Sequence, residues 1–356
     1  MSYENYWGIN AYYGDSIKQS EINNEESVQA WQDALSKVNP DAKKQVEQAK
    51  DKWNSRIREL LRSETGLKFL RNEFAENKPQ EIEHKNHIPA DESLKKAPIK
   101  IVDGFPPPLS HYFEDIMDDP EILLRRQDFA QARTTLEFAE NNFERLLKYT
   151  RKNDNQVNPQ TLQYISDFFD ALVMQVDKYN LIDRILNIDE DCLGAYFFRR
   201  PEIQIYWLPI AILAQSSPIA DIESLTFIVL THELAHAYTH QGKDIDGTDW
   251  YTEHFAHCDK GIVEGIAQYY TWKLCKRMQF HSPQFESSFN WMFAKQSETY
   301  TRFNKWIGCD DSVNKKSQYG EVMRAAMLQM RRNQVDSLNN FESEILESRE
   351  RLDTKR

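Results

Sequence analysis

The chain has 356 residues, of which 40% are hydrophobic and 12% aromatic, so it can bury a sizeable core and global disorder is excluded. Its formal net charge of -12 repels phosphate backbones, so we expect no nucleic acid partner. Because only 11 Gly and 13 Pro interrupt the chain, its composition favours long helices over many short strands.

The sequence shows neither a membrane span nor a secretory signal. The longest apolar run, at about 205–214, contains Pro209 and is too short to cross a bilayer. The first residues have neither a basic n-region nor an apolar h-region. The four cysteines lack the spacing of a disulfide framework, which suits reduced thiols. We therefore expect a cytoplasmic protein with no membrane partner.

The N-terminal part of the chain is predicted to be helical and then to change character. Apolar residues recur at helical spacing over about 25–75, and Trp31 and Trp53 fall on the apolar faces. Residues 76–110 are charged and then rich in proline, which is typical of a linker. Helical patterning resumes at about 119–149 and again at 159–179.

After Cys192 the spacing of the apolar residues changes from that of a helix to that of strands. Residues 194–198 and 202–208 are predicted to form two strands that are joined by a turn. The second strand alternates, with Ile203, Ile205 and Trp207 on one face and polar residues on the other. Such alternation is typical of a half-buried strand.

Two helices are predicted after the strands. The first covers about 222–239, with Asp221 as its N-cap and Gly242 at its end. A polar loop follows over 243–256, and the second helix covers about 261–278. The chain after Asn333 is predicted to be a charged, exposed helix.

The first of these helices contains an H-E-x-x-H pattern formed by His232, Glu233 and His236. Histidines four residues apart project from one face of a helix, so both imidazoles can reach one metal ion. Glu233 flanks the same face, where it can take a proton from a metal-activated water. The pattern indicates a Zn²⁺ site, and a helix whose histidines only bond core groups is the alternative.

A third ligand must come from elsewhere in the chain. Gly242 occupies the position at which a metzincin would place its next histidine, and His240 lies too far along the helix. We expect His240 to be solvated or to face substrate. The remaining candidates are Glu253, His254, His257 and Glu264. Glu264 is favoured because it is an isolated charge in an apolar helical segment, which needs a partner if it is buried.

At Glu264 the sequence resembles the gluzincin clan of zinc peptidases, in which a Glu on a second helix completes the site. The E-G-x-A pattern that begins at Glu264 is similar to that of gluzincin aminopeptidases and bacterial collagenases. Glu264 lies 28 residues after His236, a gap close to the collagenase-like arrangement. The position that often carries an acid to orient the first histidine is Gln268, whose amide oxygen can still accept the imidazole N–H.

The resemblance implies two further features. Tyr319 would be the catalytic donor to the oxyanion, because residues 318–328 look like the late helix that carries such a tyrosine, although a structural or surface tyrosine is the alternative. The strand near 203–208 would be an exposed edge that pairs with extended substrate. An ordinary sheet strand is the alternative there.

The expected fold is α+β and mostly α, with a gluzincin-like catalytic domain whose small sheet lies beside the zinc helix. Residues 1–105 would form a helical accessory region with the proline-rich linker, and 106–190 a helical part of the peptidase body. Residues 191–335 would form the zinc metallopeptidase core, and 336–356 a charged helical tail.

The expected function is hydrolysis of peptide bonds in a protein or peptide substrate by a regulatory or effector protease. A regulatory partner would bind the N-terminal region. One alternative is a non-catalytic, zinc-stabilised interaction protein, and another is a restrained toxin or defence protease. An intact Glu233 argues against the non-catalytic alternative, because a structural zinc site has no use for a base.

Overall fold

Helices and one small sheet make up the described part of the chain. Our computed structural model describes residues 25–69, 97–106, 193–311 and 321–354, together with isolated positions between 109 and 186. The helices are α1 (Glu25–Val38), α2 (Ala42–Thr65), α3 (Trp207–Ser216), α4 (Ile222–Gln241), α5 (Thr252–His257), α6 (Lys260–Met278), α7 (Pro283–Phe293), α8 (Glu298–Thr301), α9 (Asn304–Asp311), α10 (Glu321–Asn333) and α11 (Leu338–Thr354). The strands are β1 (Ile99–Val102), β2 (Gly194–Phe197) and β3 (Glu202–Tyr206). The expected mostly helical α+β class is confirmed.

The helices predicted at 119–149 and 159–179 lie outside the described residues, apart from isolated positions. Among the described residues, no helix combines the length and the apolar composition that crossing a bilayer requires.

The three strands form a mixed sheet in the order β1-β3-β2. β1 runs parallel to β3, with Ile99 opposite Ile203, and β2 runs antiparallel to β3, with Gly194 opposite Ile205. The expectation that the strand near 203–208 is an edge was therefore wrong, because β3 has a neighbour on each side. The missed neighbour is β1, a four-residue strand inside the segment predicted as a linker, too short to give a clear pattern beside so many prolines.

The predicted alternation of β3 is also only partly right. Glu202 and Tyr206 are buried, at 6% exposure each, although both fall on the face expected to be polar and open. Glu202 is paired with Lys100 of β1, which compensates the charge in its covered position. The strand ends at Tyr206, and Trp207 already begins α3.

Helix α4 is buried on all sides. It packs against α2, α3, α6 and α7, and it lacks the exposed polar face of a surface helix. The predicted N-cap is confirmed: the Asp221 side chain accepts from the Ser224 N–H at 2.7 Å, and the Asp221 N–H donates to the Ser224 hydroxyl at 3.1 Å. Gly242 follows its last turn, as predicted. The polar residues of α4 between Ser224 and His240 are therefore held inside the protein.

The two N-terminal helices contribute to the same core as α4. Trp31, Ile57 and Leu61 are fully buried in it. The Trp53 ring meets Phe227 of α4 edge-on at 5.6 Å, and its indole N–H donates to Glu223 at 2.8 Å. Both tryptophans thus pack on the body of the protein, while the domain boundaries remain predictions.

The C-terminal helix α11 was expected to be exposed, but one of its faces is buried. Phe341, Ile345 and Ser348 are at most 1% exposed. These residues follow one another at spacings of four and three, so they share one face, which packs against α10 and α9. Most of the charges that dominate the sequence here occupy the other faces, with Glu344 buried at 8% exposure as an exception. Their number makes the short buried stripe hard to recognise in the sequence.

Candidate metal centre

Three side chains from two packed helices converge at a buried point. His232 and His236 lie one turn apart on α4, and Glu264 lies on α6. His232 Nε2 is 3.0 Å from Glu264 Oε2 and 3.0 Å from His236 Nε2. His236 Nε2 is 3.3 Å from the same carboxylate oxygen. All three residues are buried, and together they form a group that could hold a metal ion. His232, His236 and Glu264 are called the metal group below.

The spacing of these atoms suits a small tetrahedral ion. Bonds of about 2.0–2.1 Å from one zinc to two ligands place those ligands about 3.3 Å apart. The three distances at this site, 3.0, 3.0 and 3.3 Å, lie at or slightly below that value. An ion therefore requires only a small outward adjustment of the side chains.

With the Gln268 amide in its observed orientation, the hydrogen bond at the far side of His232 indicates which of its nitrogens carries the proton. His232 Nδ1 is 3.0 Å from Gln268 Oε1, and an amide oxygen can only accept, so the Nδ1–H donates. In the neutral ring, Nε2 then presents a lone pair to the Glu264 carboxylate. A lone pair and a carboxylate at this distance need a positive charge between them, which either a proton or a metal ion supplies. The predicted partnership of Gln268 with the first histidine is thus found in the structure.

Glu264 is held in its charged form. Burial by itself raises the pKa of this carboxyl, but His236 and His232 beside it lower the pKa more. The net pKa lies well below the usual range of a glutamate. A buried anion between two imidazoles is the donor set that a divalent cation neutralises.

Glu233 follows directly after His232 on α4 and is only 3% exposed. The start of β2 passes close over it, because a Cβ atom on Gly194 would stand 3.0 Å from Glu233 Oε1. Glu233, the candidate general base, therefore lies where α4 meets β2, and it is the next residue after His232.

His240 is buried, so the expectation that it is solvated or faces substrate was wrong. Hydrogen bonds join its Nδ1 to the Tyr196 hydroxyl at 2.9 Å and its Nε2 to the Thr252 hydroxyl at 3.1 Å. The Phe255 ring stacks on it. Burial lowers the pKa of His240 to about 3, and nearby Arg331 and His236 add to the shift. The last turn of α4 is covered by β2 and α5, which its position in the sequence did not reveal.

The other candidate ligands lie away from the metal group. Glu253 pairs with Arg199 at 3.0 Å, and His254 Nδ1 accepts from the Trp250 indole at 3.2 Å. His257 Nδ1 contacts the Glu253 carbonyl at 2.6 Å. These residues belong to α5, a short helix in the segment predicted as a loop. Its six residues are too few to show a helical period.

Tyr319 lies outside the described residues, so its role stays a prediction. The structure instead places Tyr300 of α8 beside the metal group, with its ring 5.9 Å from the His232 ring and 6% exposed. Gln296, which precedes α8, accepts a hydrogen bond from Gln268. Sequence reasoning missed both residues, because neither belongs to a recognisable motif.

Comparison with protein family models, with curated proteins and with solved structures finds no match to this chain. The chemistry of the site is accordingly inferred from the arrangement of its own residues.

Proposed function

We propose that the protein is a zinc-dependent metallopeptidase of gluzincin type, with His232, His236 and Glu264 as the zinc ligands. The observation that carries the proposal is the buried convergence of these three side chains on one point. Nitrogen and carboxylate ligands in a tetrahedral arrangement suit Zn²⁺, and two histidines with one glutamate form a known catalytic set that leaves a position open. The substrate is a protein or peptide.

Zinc held by His232, His236 and Glu264 would supply Lewis acidity, which makes water a stronger acid and polarises a carbonyl group. Glu233 acts as the general base: its carboxylate accepts the proton of the attacking water and delivers it to the departing amine. Its burial beside β2 restricts its movement, so that the carboxylate stays near the reacting atoms. Gln268 orients His232 through the Nδ1–H bond, so that the lone pair of the other nitrogen would be available to the metal.

The presence of Glu233 favours catalysis over a purely structural zinc site. A structural site closes all its positions with protein ligands and has no use for a base beside the metal. A non-catalytic, zinc-stabilised interaction protein is the second candidate, supported by the depth at which the group is buried. Experiment separates the two.

The first experiment counts bound metal. Zinc per chain is measured in the wild type, in His236→Ala and in His240→Gln, the last being a matched control because His240 lies one turn further along the same helix. We expect one zinc in the wild type and in His240→Gln, and loss of binding in His236→Ala. Full zinc content in His236→Ala would rule out the assigned ligand set.

The second experiment tests hydrolysis. Cleavage of a fluorogenic peptide library is compared between the wild type and Glu233→Gln, which has a similar shape but cannot take a proton. We expect the variant to keep its zinc and to lose at least about a hundredfold in rate. Equal turnover by both proteins would contradict the role of Glu233, and zinc binding with no cleavage by the wild type would favour the interaction protein.

A further inference from the structure

A pair of glutamine side chains extends the metal group beyond His232. Gln268 is 3% exposed, and its amide oxygen accepts from the His232 Nδ1–H at 3.0 Å. Its Nε2 donates to Gln296 Oε1 at 2.6 Å. Gln296 lies in the segment between α7 and α8, so the chain of hydrogen bonds connects this segment to α6 and then to α4.

The orientation of the Gln268 amide decides where the proton of His232 sits. A primary amide has an acceptor at one end and a donor at the other, and rotation by a half turn exchanges them. In the observed orientation, His232 must carry its proton on Nδ1. In the exchanged orientation, an NH₂ group would face Nδ1, and the proton of a neutral His232 would move to Nε2. That nitrogen faces Glu264, so it would donate to the carboxylate at 3.0 Å and could not bind a metal.

The Gln268–His232 hydrogen bond alone does not select between the two orientations, since Nδ1 can either donate to the amide oxygen or accept from the amide NH₂ group. The contact that selects lies on the far side of Gln268, where an acceptor stabilises the orientation with Nε2 outward. Gln296 presents Oε1 to Gln268 in the structure, so it is that acceptor as long as its own amide keeps this orientation.

We propose that Gln296 is a positioning residue that holds the Gln268 amide in the orientation that makes His232 a metal ligand. This inference rests on the proposed zinc site. The contact of Gln296 that carries this inference is the one with Gln268. Gln296 acts through Gln268, and its effect is on the affinity for zinc.

The experiment measures Zn²⁺ affinity by competition with a chromophoric chelator in the full chain. Gln296→Ala removes the acceptor, and we expect the dissociation constant to rise about tenfold, in the range found for residues that orient metal ligands. Gln296→Glu keeps an acceptor at the same reach and should remain within about threefold of the wild type. Thermal unfolding of the metal-free proteins establishes that the variants are folded.

The decisive control is the same change in a Gln268→Glu background. Both oxygens of a carboxylate accept hydrogen bonds, so Glu at position 268 needs no partner to select its orientation. We expect Gln296→Ala to have no effect on zinc affinity in that background. A tenfold loss in both backgrounds would show that Gln296 acts only through packing, and no loss in either would show that it does not orient Gln268. Each result overturns the inference.

The proposed zinc site and this inference fail in different ways. A wild-type protein that binds no zinc contradicts the site itself. A wild-type protein that binds zinc with unchanged affinity in Gln296→Ala contradicts only the role of Gln296.

Discussion

Gly194 on β2 lies against Glu233 on α4 with no room for a side chain between them. A Cβ atom on Gly194 would stand 2.9 Å from Glu233 Cγ and 2.7 Å from Val229 Cγ1. Contacts this short are repulsive, so the sheet can approach the helix this closely only because residue 194 is a glycine. Strand β2 and Glu233, the proposed general base, are thereby held at a fixed distance from each other.

The first prediction follows from this contact. Gly194→Ala should lower the free energy of unfolding by about 1–3 kcal/mol, because either β2 or the Glu233 side chain must move. It should also reduce turnover while zinc content stays at the wild-type level. Urea denaturation, peptide cleavage and metal analysis provide the measurements.

Val229→Ala supplies the matched background for this change. The double variant Gly194→Ala/Val229→Ala removes the closest clash but retains the one with Glu233. We expect Gly194→Ala to cost less stability in the Val229→Ala background than in the wild type, while the loss of turnover persists. Wild-type stability and rate in Gly194→Ala alone would show that the contact has no consequence.

The second prediction concerns the dependence of stability on pH. The pKa of His240 is lowered from 6.5 to about 3 by burial, so the folded protein holds this residue neutral. Below about pH 6.5 the unfolded chain binds a proton at His240 and the folded chain does not. The free energy of unfolding therefore decreases as the pH falls from about 6.5 towards about 3. Above about pH 6.5 His240 is neutral in both states, so this loss of stability is absent.

The size of this effect is read from a comparison with His240→Gln, which cannot titrate. We expect the wild type to lose about 1.4 kcal/mol more than the variant for each pH unit below 6.5. The measurement is urea denaturation at several pH values, with the same zinc concentration for both proteins. Parallel curves for the two proteins would contradict a neutral, buried His240.

The third prediction concerns metal removal. Zinc that binds the folded chain only should stabilise it by about 2.7 kcal/mol at a free concentration a hundred times its dissociation constant. A chelator should therefore lower the Tm of the wild type by several degrees and should leave the Tm of His236→Ala unchanged. A chelator effect of equal size in both proteins would mean that the stabilising metal binds elsewhere.

The fourth prediction concerns the N-terminal helices. Leu61 of α2 is fully buried, and its neighbour Arg62 is exposed. Leu61→Ala should cost about 2–5 kcal/mol because it leaves a cavity, whereas Arg62→Ala should cost little. For the same reason we expect truncation at Asp103 to give an insoluble protein. A soluble, folded remainder with altered peptidase activity would instead show that the N-terminal region controls access to the site.

The features that the sequence determined are local ones. His232 and His236 share a helix face because four residues make about one turn, and Asp221 begins that helix through a hydrogen bond to a residue three positions away. Glu264 was identifiable because a single charge in an apolar helical segment requires a partner. Each of these inferences depends on residues within a few positions of one another.

Only the tertiary structure decided which faces meet. Gly194 approaches Glu233, His240 is enclosed by Tyr196 and Thr252, and Gln296 accepts from Gln268 across 28 positions of the chain. Pairing of β1 with β3 joins residues about a hundred positions apart. No local pattern encodes such contacts, because they arise from how whole helices and strands pack to bury their apolar faces. The identity of the candidate metal ligands was therefore local information, while the groups that orient and enclose them were fixed by packing.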